Sequence, residues 1–416
     1  MSTRHAWAAL ALLVMVAPVL AFPAVLGSAN GWMAALVAIV ALAGAITVVG
    51  ERDRLVWPVG LLAFTALVGW SRAGDQASSL SHFCGLALGL LAMGTVAAWC
   101  NTRNRFILAT VAFLLCGAIA LSVGNRSTTP VHKSKALFGE TSAVLGAQIP
   151  LPLPGLHARE SVNRNALAAT AMMILTVAGA VALAPARRFS LRMPLRVAGV
   201  LSAAWAAAVV IMMQSRSAWL SAGVIAWILA RRLMRPRSWW LITGGLCLVL
   251  TAMALLILWS DHPRAAEAVT AVHARLAIWG QALQALQWSP WIGIGLDYFR
   301  HSGYSPVLVY PDMIVGRPHA HNIFLQTALD VGLFGLAGYL AIMWFVLRRA
   351  VGLARGVGGD AWVRSVAVGA ALSVVSVHVY GLLDAVPLGA KVGIFQWWAC
   401  GLILAAWRMR TPSEGT

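Results

Sequence analysis

Long apolar runs and short, arginine-bearing breaks alternate along the chain. A run of about 17 to 25 predominantly apolar residues is long enough to cross the hydrocarbon core of a bilayer as a helix. Twelve runs of this kind lie near residues 6–22, 31–50, 55–71, 83–100, 106–123, 165–184, 197–214, 218–230, 239–259, 323–347, 364–383 and 392–407. The pattern predicts an all-α integral membrane protein with about twelve transmembrane helices, a single polytopic domain over residues 1–416. Arg4 and His5 precede the first run, so a cleaved signal peptide competes with a retained helix. No clean small-x-small cleavage site follows, and a retained helix is expected.

Two breaks are long, 124–164 and 260–322, and function is expected there. The first, with its LPLP segment, reads as an ordered but irregular excursion. In the second, Val269, Val272, Leu276, Trp279, Leu283 and Leu286 step by threes and fours, one face of an α-helix from Ala265 to Trp288. Glu267, Gln281, Gln284 and Gln287 take the other faces, and Pro290 ends the run. A helix lying flat on the membrane surface is predicted.

Composition agrees: 60% of the residues are hydrophobic and 11% charged, with a mean hydropathy of +0.79. Charge sets the orientation. Most of the 31 Lys and Arg residues crowd into alternate short connections, among them Arg187, Arg188, Arg192 and Arg196, then Arg231, Arg232, Arg235 and Arg237, then Arg348, Arg349, Arg355 and Arg364. The positive-inside bias places these segments and both termini in the cytoplasm. The formal net charge of +18 therefore reflects topology, and nucleic-acid binding has no part in it. Cys84, Cys100, Cys116, Cys247 and Cys400 all fall in apolar runs and read as packing residues.

Candidate chemistry gathers on the outside face. Arg275 and Trp279 are four apart and share a stripe of the amphipathic helix. A purely structural Arg275 is the competing reading. Arg216 sits in the tight outside turn of "MQSRSAWLSA", where the positive-inside bias would place no cation; snorkelling to head groups is its bland alternative. Arg159, Asn163, Arg164 and Asn165 close the first long loop, as ligand contacts or as interfacial anchors and caps. In "GRPHAHNIFLQTALDVGLFG", His319 and His321 stand where a helix starts. A metal pair lacks a third ligand, and no HExxH occurs, so no metal is expected. The alternative is an imidazole base, neutral near pH 7, its pKa depressed by cations such as Arg317. "GIGLDYF" is only a partial dinucleotide fingerprint and is set aside. Asp330, nine residues past His321, lies about 13 Å along a helix and half a turn away, too far to orient His321 directly. As an intramembrane acid it is either functional or packed on another polar group.

"HAHN" leading into "DVGLFG", "RLAIWGQAL" followed by "PWIGIGLDYF", and "QSRSAWLSA" together resemble the bacterial O-antigen ligase family, part of a superfamily of polyprenyl-diphosphate-dependent glycosyltransferases. "RESVNRNALAA" is similar to that family's R-x-x-G-x-x-x-N-x-N segment but lacks its glycine. The resemblance implies a GT-C type membrane fold with 124–164 and 260–322 as periplasmic loops, in the bacterial inner membrane. It implies His321 as catalytic base, with Arg216 and Arg275 on the diphosphate of an undecaprenyl-linked O-antigen. Arg159, Asn165, Arg317, His319, Asn322 and Asp384 are the further substrate-binding candidates. No cofactor or metal is implied. The expected partners are the lipid-linked glycan, a lipid A-core acceptor and membrane lipids, with the protein a monomer. Ligase activity is expected first, then O-antigen polymerase, then protein O-oligosaccharyltransferase, whose relatives tend to carry an extra carboxy-terminal domain. A lipid-linked glycan transporter is the alternative of another class; it would string ionisable groups along the bilayer midplane.

Overall fold

The computed structural model describes residues 3–21, 31–49, 54–127, 163–185, 192–259, 263–302, 308–310, 313–316, 319–356 and 359–410. Thirteen α-helices occur among them: α1 (Thr3–Ala21), α2 (Gly31–Val49), α3 (Val56–Arg72), α4 (Gln76–Trp99), α5 (Arg103–Ser127), α6 (Arg164–Leu183), α7 (Arg192–Met213), α8 (Arg216–Leu233), α9 (Pro236–Trp259), α10 (Pro263–Trp288), α11 (Ile323–Arg355), α12 (Ala361–Tyr380) and α13 (Ile394–Arg408). A short antiparallel hairpin, β1 (Leu308–Tyr310) with β2 (Met313–Gly316), lies between α10 and α11. All twelve predicted runs are helical, and α10 occupies the amphipathic stretch. Seven of the helices are long and apolar enough to cross a membrane, which makes this a multi-pass membrane protein. Most of the first long loop, with Arg159, lies outside the described residues, as does Arg317.

Helix α4 runs through the centre of the bundle, packed by α1, α2 and α13, while α6 packs between α7 and α12. Phe83, Phe106, Phe113, Tyr339, Trp362 and Tyr380 are fully buried. Phe113 meets Phe395 and Trp398 edge-on, at 5.4 and 5.9 Å between ring centroids, an arrangement favoured by the ring quadrupoles. The five cysteines are free, but Cys116 and Cys247 are exposed on their helices, so only Cys84, Cys100 and Cys400 serve as packing residues.

Helix α10 packs on the protein through part of its surface only. Its buried face is Ile278, Ala282 and Ala285, clustered with Phe299, Ala320 and Leu329, whereas Val272, Leu276 and Leu283 are about half exposed. Small residues let this helix approach the protein closely, and the large apolar side chains point away, as expected where the outer medium is lipid.

Candidate functional site

Helix α11 is interrupted. Gly332 has φ 73° and ψ −179°, a conformation open essentially only to glycine. A regular helix would pair the Leu333 N–H with the Leu329 carbonyl. Here Leu333 N–H donates to Pro290 O at 2.8 Å and Phe334 N–H to Trp291 O at 3.3 Å, while Leu329 O accepts from Ile294 N–H at 2.7 Å. The segment after α10 is thus threaded into the helix break, and its polar backbone is satisfied at membrane depth. Gly293, at φ +74°, faces Gly332 so closely that a Cβ on either would overlap backbone atoms of the other segment. The glycines of "PWIGIG" and "DVG" therefore serve backbone apposition, which disposes of the nucleotide-binding reading on physical grounds.

Asp330, fully buried, secures this joint. One carboxylate oxygen accepts from Asp297 N–H at 3.0 Å and from Gln326 Nε2 at 2.8 Å. Gln326 Oε1 in turn accepts from Ala320 N–H at 2.9 Å, inside "HAHN". Among the described residues, Asp330 thus reaches the histidine loop through Gln326. Asp297 is buried too, with His82 Nε2 at 3.8 Å, Arg300 Nη1 at 3.7 Å and His301 Nε2 at 3.9 Å from its Oδ2.

The "HAHN" loop is fixed from several sides. The Asn322 side chain caps α11, accepting from Phe324 N–H and Leu325 N–H, both at 3.0 Å, and its amide donates to Leu382 O at 3.3 Å. Ile323 N–H donates to Gly381 O at 2.7 Å, tying the loop to the end of α12. His321 sits at φ 48°, uncommon for a residue with a side chain and held by these surrounding bonds.

Asp384 collects the chemistry. Its Oδ1 lies 3.0 Å from His321 Nδ1 and 3.4 Å from His319 Nε2, and accepts from Ala385 N–H at 2.9 Å. Oδ2 accepts from the Tyr380 hydroxyl at 3.0 Å. Burial pushes this carboxyl up, but the His321 hydrogen bond and the charge of both histidines outweigh it and hold it below its ordinary value. An ionised carboxylate only accepts, so the proton of this contact lies on His321 Nδ1, and in the neutral ring Nε2 is then the accepting nitrogen. His319 Nδ1 accepts from His321 N–H at 3.1 Å, which leaves its own proton on Nε2, facing Asp384. Its pKa is lowered to about 4, first by burial and further by His321 and Arg300, against the pull of Asp384. Arg300, a residue the linear pattern did not single out, is a depressing cation among the described residues; Arg317 lies outside them.

Arg275 and Trp279 flank this cluster from α10. Arg275 Nε donates to Leu383 O at 3.3 Å, next to Asp384, and Trp279 Nε1 donates to Ala320 O at 2.9 Å, between the histidines. Of the five N–H donors of Arg275, one is engaged among the described residues. The α7–α8 turn adds Ser215, which hydrogen-bonds the Tyr380 hydroxyl. Arg216, the first residue of α8, follows directly and is exposed. His319, His321, Asp384 and Arg275 are brought together, with the Arg216 turn beside them. Asn165 lies in the first turn of α6, where its backbone N–H donates to the Asn163 cap at 2.8 Å.

Sequence reasoning missed Tyr380, Ser215, Gln326 and Asp297; the i, i+4 spacing of Tyr380 and Asp384 at a helix end was the one available signal. The fold also supplies the third metal-ligand type that the linear pattern lacked. His319, His321 and Asp384 each turn one ligand atom to within 4.8 Å of the others, so the trio can hold a metal ion.

Residues 201–340 match the family described as O-antigen ligase. The matched segment takes in Arg216, Arg275, His319, His321, Asn322 and Asp330, and stops short of Asp384. No curated protein matches the chain.

Proposed function

We propose that this multi-pass membrane protein, whose residues 201–340 match the family described as O-antigen ligase, transfers a glycan from undecaprenyl diphosphate to a sugar hydroxyl of lipid A-core. The site faces the periplasm of the inner membrane, in a GT-C type bundle of twelve spans. The acceptor oxygen attacks the anomeric carbon as the bond from that carbon to the phosphate oxygen breaks. The acceptor proton goes to His321 Nε2, and undecaprenyl diphosphate leaves with the bonding electrons. One displacement inverts the anomeric centre.

The observation that carries this reading is the bond between His321 Nδ1 and Asp384 at 3.0 Å, which leaves Nε2 as the accepting nitrogen. A positioned base is worth a factor of about 10² to 10⁴ in rate. Arg275 and Arg216 stabilise the negative charge growing on the diphosphate, where planar guanidinium groups give bidentate hydrogen bonds. Preorganised donors of this kind contribute about 3 to 4 kcal/mol each. Charge supplied by the two arginines makes the reaction independent of metal.

The test is complementation of cells lacking their own ligase, read as lipopolysaccharide ladders. The wild-type chain restores capped lipopolysaccharide and His321→Ala does not; a variant that still caps it removes His321 from the chemistry. Chain extension without attachment would instead assign a polymerase.

The ligand atoms of His319, His321 and Asp384 lie close enough to favour a second reading, a divalent cation polarising the acceptor. Transfer by purified protein is expected to persist in excess EDTA. Activity lost in EDTA and restored by added Zn²⁺ would favour the metal.

A further inference from the structure

At the end of the bundle opposite the histidines, two cavities adjoin. One, about 590 Å³, is an apolar groove between α6, α8 and α12, lined by Leu175, Gly179, Ile225 and Leu229 among others, with Arg232 and Arg364 at one end. The other, about 280 Å³, is polar and lies over the α4–α5 and α11–α12 connections, lined by Arg103, Asp360, Arg364 and Arg410. Helical geometry explains the join. Positions 361, 365, 368 and 372 share one face of α12 and line the groove, 360 and 363 fall on the adjoining face, and Arg364 lies on the edge between them. Arg364 lines both cavities, and its guanidinium donates to Gly356 O at 3.2 Å, in the polar one.

The dimensions select an occupant. Along α12 the groove runs from position 361 to 372, roughly 16 Å at 1.5 Å per residue. That is about half of a hydrocarbon core some 30 Å thick, the depth of one leaflet. Four arginines and one aspartate line the two cavities, and Asp360 is already paired with Arg103 at 2.7 Å, so the open end attracts an anion. We infer that the two cavities form one binding site for an anionic phospholipid of the arginine-side leaflet, its acyl chain in the groove and its phosphate against Arg364 and Arg232. Neither cavity touches the histidine cluster, and the inference stands apart from the transfer reaction.

Gly179 provides a clean block, because it lines the groove and a Cβ there meets nothing within 4 Å. The test is native mass spectrometry of the full chain released from vesicles of phosphatidylglycerol, phosphatidylcholine or their equal mixture. Wild type is expected to retain one phosphatidylglycerol in preference to phosphatidylcholine. Arg232→Ala, at an exposed position, is expected to cut that preference about fivefold, the worth of one arginine near an anionic lipid surface. Gly179→Leu should abolish retention while the protein remains folded by circular dichroism. Equal retention of both lipids, or retention of phosphatidylglycerol unchanged in Arg232→Ala and Gly179→Leu, would overturn the assignment. Complementation of ligase-deficient cells reads the transfer chemistry separately, so failure of one leaves the other standing.

Discussion

Two aspartates lie buried within one turn of the "HAHN" loop's supports, and they do different work. Asp330 is fully buried in α11 and spends its accepting oxygen on a backbone N–H and an amide side chain. Asp384, in the connection after α12, is as deeply buried but faces two imidazoles and a tyrosine hydroxyl. Depth in the membrane would single out Asp330, since intramembrane acids are functional by default. The partners decide otherwise: Asp330 holds a loop in a broken helix, and Asp384 holds His321, the base of the proposed transfer.

The comparison breaks most sharply at Asp384. Asp384→Asn offers His321 Nδ1 an amide in place of the carboxylate, which no longer fixes its proton there. Transfer by purified protein is expected to fall by about 10² to 10⁴, with the thermal midpoint little changed. Next comes Arg275→Ala, expected to cost about 10² to 10³ in turnover, an effect that Arg275→Lys relieves only in part because a point charge replaces a fork. At Asp330 the loss shifts from rate to stability. Asp330→Ala leaves Asp297 N–H and the Gln326 amide without an acceptor, which costs about 1 to 3 kcal/mol each, seen as a lowered unfolding midpoint in detergent. Asp330→Asn keeps an acceptor and should leave turnover within about tenfold of wild type. A rate collapse in Asp330→Asn equal to that of Asp384→Asn would erase the distinction.

The smallest effect concerns pH. The folded protein holds His319 near pKa 4, below the 6.5 of an exposed imidazole. Between those values the unfolded chain binds the proton more readily, so stability is complete above about pH 6.5 and declines as pH falls toward 4. His319→Gln should flatten the fall in unfolding midpoint over that window; an unchanged slope would assign the dependence to other groups.

The sequence made the helices legible because lipid-crossing runs must be long and apolar, and each predicted run is a helix. It also placed Arg275 and Trp279 on one stripe, and both flank the histidine loop. Which residues of α10 would meet the protein was not legible, since in a membrane large apolar side chains seek lipid as readily as protein. Val272, Leu276 and Leu283 are exposed, while Ala282 and Ala285 make the close contact. Asp384 was a candidate, but its bond to a histidine 63 positions away in the chain comes from tertiary structure, which no local spacing encodes. The threaded joint at Gly332 was hidden for the same reason: its glycines lie in separate segments and make sense only as a pair.

His321 itself permits the most direct measurement. Its backbone lies at φ 48°, which glycine adopts without cost, so His321→Gly should keep the loop and open a space where the ring was. Single-turnover transfer from an undecaprenyl-diphosphate-linked glycan is expected to drop by about 10² to 10⁴ and to be restored by added imidazole, far less so when Asp384→Asn is also present. Transfer by His321→Gly at the wild-type rate without imidazole would contradict the assignment of this nitrogen as the base.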